Sequence, residues 1–63
     1  MRLYSAQFYI LVWDYFNLKY IVMKAIKCHA LSMSGLKSFI KYHRARYENN
    51  EIPYWYYIEE NEL

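Results

Sequence analysis

Glycine, proline and cysteine are almost missing from this 63-residue chain, which holds only Gly35, Pro53 and Cys28. A lone thiol forms no internal disulfide, and Cys28, His29 and His43 lack the paired ligand spacing of a structural zinc site. A single glycine excludes a glycine-rich phosphate loop. The chain also lacks a long apolar run. Its longest uncharged stretch, Leu3 to Trp13, is eleven residues and contains Ser5 and Gln7, well short of the ~20 that a spanning helix needs. No small-residue cleavage site directly follows that stretch, so a signal peptide is not indicated. The expectation is a soluble protein in a reducing, cytoplasmic setting, with no metal and no cofactor.

What the chain does have is aromatic surface and sorted charge. Nine Tyr, three Phe and two Trp make up 22% of it. Residues 1–63 suffice for one domain with one modest core, and so short a chain buries a smaller share of its surface than a long one. Oligomerisation or a partner is the expected support. Net charge is only +2, but seven bases and no acid lie between Tyr15 and Tyr47, whereas Glu48 to Leu63 holds five glutamates and no base. A basic body followed by an acidic tail suits a polyanionic partner, a self-shielding tail or head-to-tail association. The plainer alternative is two solvated faces.

Period-two alternation over residues 3–13, with Tyr4, Ala6, Phe8, Ile10 and Val12 in phase, predicts a half-buried strand. Asp14-Tyr15-Phe16-Asn17 suits a four-residue hairpin loop. Residues 18–28 are rich in β-branched and aromatic types. They read as a second strand with Leu18, Tyr20, Val22, Ile26 and Cys28 on one face and Lys24 interrupting it; helical spacing of Leu18, Ile21, Val22, Ala25 and Ile26 is the competing reading. Ser32-Met33-Ser34-Gly35 offers N-caps for a helix whose apolar stripe is Leu36, Phe39, Ile40, His43 and Tyr47. Asn49 or Asn50 is expected at a left-handed helix exit before Pro53. Tyr54 to Ile58 alternates as a third strand, and the acidic residues 59–63 are expected to fray.

The predicted architecture is therefore α+β in the order β-β-α-β. One helix covers one face of a three-stranded antiparallel sheet and leaves the other face for dimerisation or binding. Tyr9, Leu11, Trp13, Trp55 and Tyr57 are expected on that bare face, with Ile21 and Met23. A patch this apolar predicts a homodimer.

Chemistry candidates are few. His29, Lys41 and His43 contain the residue types of a ribonuclease, in which two histidines exchange protons and a lysine steadies a phosphorane. His43, however, falls on the apolar helical stripe, where a packed histidine is the simpler reading. Cys28 and His29 are neighbours, so on a strand they point to opposite faces and form no nucleophile–base pair. No catalytic residue is expected. Nucleic acid is the stronger candidate partner, because counterion release needs several Lys and Arg on one surface and single-stranded RNA adds stacking on aromatics. Lys37, Lys41 and Arg44 recur at i, i+4 and i+7 with Arg46 nearby; Lys19, Lys24 and Lys27 on the second strand add to them, and Tyr42 offers a stacking ring. The rival reading is a protein-protein inhibitor that uses a strand edge, the Tyr54–Tyr57 segment or the acidic tail.

The chain's size, its Tyr/Ile/Lys/Asn-rich composition and its strand-strand-helix-strand order resemble the small accessory proteins that T4-like phages make against host defences. Among these the resemblance is greatest to antitoxin-like proteins that neutralise ribonuclease toxins. It covers the whole chain through layout rather than through a motif. It implies an inhibitor of a host toxin endoribonuclease, acting in the host cytoplasm with RNA as a dimer, and it assigns no residue.

Overall fold

The structure, a computed structural model, describes residues 1–62. β1 (Arg2–Asp14), β2 (Lys19–Ala30), α1 (Met33–Asn49) and β3 (Tyr54–Glu62) follow one another along the chain. The sheet order is β2-β1-β3, with both pairings antiparallel. The α+β reading and the β-β-α-β order are thus observed, and residues 19–30 are strand rather than helix.

The alternation of β1 decides which side is core. Ala6, Phe8 and Ile10 are buried beneath Leu36, Ile40 and Tyr47 of α1. β1 supplies half of this cluster because it is the one strand with a neighbour on each side. Phe8 is its centre: the ring lies 4.9 Å from Tyr56, 5.6 Å from His43, 5.8 Å from Tyr47 and 5.9 Å from both Phe39 and Tyr54, centroid to centroid. Aromatic pairs at such separations add roughly 0.5–1.5 kcal/mol each beyond their burial.

Local chemistry sets the ends of α1. Ser32 is the N-cap, its hydroxyl accepting from the Gly35 amide at 3.3 Å. At the exit, the Ile52 amide donates to the Tyr47 carbonyl and the Glu51 amide to the Glu48 carbonyl, the paired bonds of a Schellman ending. The left-handed residue is Glu51, at φ 55°, rather than Asn49 or Asn50. Asn49 completes the helix, and Asn50 instead turns its side-chain amide onto the Arg46 carbonyl at 2.7 Å.

The strands differ from the sequence expectation in two further respects. β3 runs on through Glu59, Glu60 and Asn61 to Glu62, which pair with Ser5 back to Arg2. The segment expected to fray is therefore a strand as far as Glu62, and Leu63 lies outside the described residues. An ion pair between Arg2 and Glu60 crosses this end. The second difference is a bulge. Ile10 pairs with Lys24 and Leu11 with Val22, so Met23 is the extra residue. An inserted residue reverses the facing of everything beyond it. Tyr20 and Val22 consequently stand on the face of Leu11 and Trp13, where Ile21 and Met23 were expected. Lys24 shares the helix side with Ile26 and Cys28.

β3 pairs with β1 only as far as Ile10. Beyond it the Leu11 amide donates to the Pro53 carbonyl at 2.9 Å, and β1 and β2 continue as a two-stranded arm. At roughly 1.5 Å per residue α1 is only about 25 Å long, against a longest extent of 46 Å for the molecule. The helix therefore leaves the arm uncovered. Its loop is Tyr15–Leu18, with Asp14 ending the strand. Asp14 accepts from the Phe16 and Asn17 amides and the Asn17 side chain; these bonds, that of the Asn17 side chain foremost, hold its carboxyl below the ordinary 3.8.

Candidate nucleic-acid interface

The outer surface of α1 gathers most of the bases singled out in the sequence. Lys37, Lys41 and Arg44, with Ile40, Ala45 and Glu48, line a shallow depression of about 420 Å³. Lys41, Tyr42 and Arg46 line a second one along the crest of the helix with Ser38, Ala45 and Asn49. Lys37 and Arg46 are nine residues, or about two and a half turns, apart and so occupy opposite flanks. Lys41 lies between them and belongs to both depressions.

Arg44 is tied down. Its Nε donates to the Tyr54 hydroxyl at 3.2 Å, its Nη2 lies 3.6 Å from a Glu48 carboxylate oxygen, and its guanidinium carbon sits 5.7 Å from the Tyr56 ring centroid. The Tyr54 hydroxyl in turn donates to Glu48 at 2.6 Å. The bond to Tyr54 pushes the Arg44 pKa up, and the bond to Glu48 pushes that of Tyr54 up. This triad fastens the helix to β3, so Arg44 is positioned rather than free. Among the described residues Lys37, Lys41 and Arg46 form no ion pair. Tyr42 is 61% exposed between Lys41 and Arg46, where a base could stack.

The bases of β2 divide. Lys24 joins Arg46 in a groove of about 470 Å³ that is floored by Ile10, Ile26 and Ile52 and edged by Glu51. Lys27, paired with Gln7, stands on the opposite side of the sheet, and Lys19 sits at the arm opposite Asp14. The structure thus places five bases on the helix side, Lys37, Lys41 and Arg44 on one flank of α1 and Arg46 with Lys24 on the other, and separates Lys19 and Lys27 from them. Of the residues expected on the bare face, Tyr9, Leu11, Trp13, Trp55 and Tyr57 share it by register. Tyr9 stacks on Trp55 at 4.8 Å, and Trp13 meets Tyr20 edge to face at 5.0 Å.

The ribonuclease-like trio is not assembled. His29 pairs with Ser5 on the bare face, whereas His43 packs on Phe8 and Phe39 beneath α1, its Nδ1 2.9 Å from the Tyr47 hydroxyl. Burial first, and Arg46 second, push the His43 pKa below the ordinary 6.5. No group of three or more His, Cys, Asp or Glu suited to a metal occurs among the described residues, and none of their helices is long and apolar enough to cross a membrane. No protein-family model, curated protein or solved structure matches the chain.

Two features of this surface had no signal in the sequence. The Arg44–Tyr54–Glu48 triad depends on the β3 register, and the Lys24–Arg46 groove depends on where the end of α1 lies over β2.

Proposed function

We propose that the chain is a small non-enzymatic binding module that holds the phosphate backbone of RNA along the outer surface of α1. The observation that carries this reading is the set of unpaired cations along α1, with Lys41 and Arg46 beside the exposed Tyr42 ring, Lys37 on the flank next to Lys41 and Lys24 beside Arg46. Cations spaced along a helix meet successive phosphates without reading bases, so binding without sequence preference is expected. The active unit is a cytoplasmic homodimer serving as an inhibitor or accessory factor. The phage resemblance suggests a toxin endoribonuclease as its target.

The test is the salt dependence of binding to single-stranded RNA. If about four phosphates are neutralised, log affinity falls against log salt with a slope of about −3. Lys37→Glu/Lys41→Glu/Arg46→Glu should abolish binding while the far-ultraviolet dichroism is retained. A flat salt dependence overturns the reading.

A second reading, an inhibitor that grips a protein without nucleic acid, is favoured by the arm, where Phe16 is 99% exposed and Tyr15 81%. Large apolar side chains held out from the body suit an anchor into a partner's pocket. Phe16→Ser with Tyr15→Ser would then abolish inhibition and leave RNA binding intact.

A further inference from the structure

The uncovered sheet face is apolar along its middle and charged only at its margins. Tyr9, Leu11 and Trp13 run down β1, flanked by Tyr20 and Val22 on one side and Trp55 on the other. Tyr20 and Val22 are each 54% exposed and Trp55 49%. The titratable groups other than tyrosine on this face are Lys27 and His29 on β2, and Glu59 on β3. Ser5 pairs with both His29 and Glu59, so these two sit level on opposite margins, and Lys27 is two residues away at the level of Gln7.

From this pattern we infer that two copies of the chain pack face to face through this surface, with the two-fold axis parallel to β1. Such an axis lays β2 of each copy over β3 of the other. His29 and Lys27 then face Glu59 of the second copy, and each β1 lies along its counterpart. An axis perpendicular to the strands would lay β2 on β2 and β3 on β3, so that Lys27 and His29 would face a strand with no acid on this face and Glu59 one with no base. Pairing of like edges meets the same objection, because β2 carries Lys19, Lys24 and Lys27 and β3 carries Glu59, Glu60 and Glu62.

Size and stability agree with the charge argument. The sheet lies in a molecule 46 × 23 Å across its two longer extents, ample for the ~800 Å² that each partner of a standard interface contributes. A two-stranded ribbon alone is marginal in water. In this arrangement Leu11 and Trp13 of the two arms lie over one another, while Tyr20 and Val22 reach past the end of the facing β3. Both helices, with their cations, remain on the two outer surfaces. The inference rests on the homodimer part of the function proposed above and not on RNA binding.

The test uses nuclease-treated full-length protein at tens of micromolar. Sedimentation equilibrium should give twice the 7.9 kDa chain mass, and Trp55→Glu should weaken association at least tenfold without loss of helical dichroism. In a Cys28→Ser background, Gln7→Cys and Leu11→Cys, both close to the axis, should each be joined into a linked dimer by a short bis-maleimide, whose span suits sheets about 10 Å apart where a disulfide does not reach. Lys27→Cys alone should not, whereas Lys27→Cys combined with Glu59→Cys should. A monomeric mass overturns self-association and leaves the RNA proposal standing. A dimer in which Lys27→Cys links to itself and Gln7→Cys does not overturns the axis, and one in which no cysteine links overturns the choice of face.

Discussion

The two halves of β1 have the same alternating sequence and different fates. From Tyr4 to Ile10 the strand lies between β2 and β3 under α1, and Ala6 and Phe8 are fully buried. From Leu11 to Asp14 it has β2 alone, and Val12, in phase with Phe8, is 41% exposed. Alternation therefore states which residues share a face, while neighbours decide whether that face is covered. In the first half the apolar side chains hold the fold together; in the second they are presented outward.

That contrast can be broken most strongly at its buried end. Phe8→Ala removes the ring on which five others converge, and a loss of about 3–5 kcal/mol is expected, comparable to the whole stability of so small a domain. Val12→Ala, in phase on the same strand, should stay within about 0.5 kcal/mol. Because Val12 is on the helix side, exposed in the groove at the exit of α1, that expectation holds for a monomer and for the face-to-face dimer alike. Urea denaturation of both variants measures the difference directly; equal losses would mean that something covers the helix side of the arm.

The next effect sharpens the exit from the buried half. Glu51 holds a left-handed conformation that costs a non-glycine residue roughly 1–2 kcal/mol. Glu51→Gly should raise stability by about 0.5–1 kcal/mol, part of the gain being offset by the freer unfolded chain. A lower urea midpoint would show that the Glu51 carboxylate contributes more than its backbone costs.

The smallest effect is a pH dependence confined to the core. Since the folded state lowers the His43 pKa below 6.5, the fold favours the neutral ring. Its contribution is complete above pH 6.5 and is lost as pH falls through the lower folded value. Denaturation midpoints of the wild type should therefore fall between pH 7 and pH 5 by more than those of His43→Gln. Parallel curves would mean that the ring accepts its proton without leaving the core.

Most of the fold was legible because its signals are local. Ser32 and the Leu36–Phe39–Ile40–His43–Tyr47 stripe specify the helix, period-two alternation specifies β1, and β-branched and aromatic content favours strand for β2. The far end of β3 was not legible. Glu59, Glu60 and Asn61 are poor strand formers and are held by pairing with a strand more than fifty residues earlier in the chain. The bulge at Met23 has no glycine to mark it, its one trace being Lys24 interrupting the apolar face, and it moved Ile21 off the expected face. The cationic helix could be read from its i, i+4, i+7 spacing. That Arg44 would be engaged by Tyr54 and Glu48 could not, because the contact joins elements whose relative placement is set by the register of β3.

The sheet order also bears on how the molecule reaches its native state. β1 and β2 meet across a four-residue loop and form a hairpin, a microsecond event. β3 completes the sheet only by bringing residues 54–62 back to residues 2–10, a closure with a far larger entropic cost. The hairpin and the start of α1 thus belong to the early steps and β3 docking to the last. Changes in β3 should then act mainly on how fast the native state opens, and changes in the hairpin on how fast it forms.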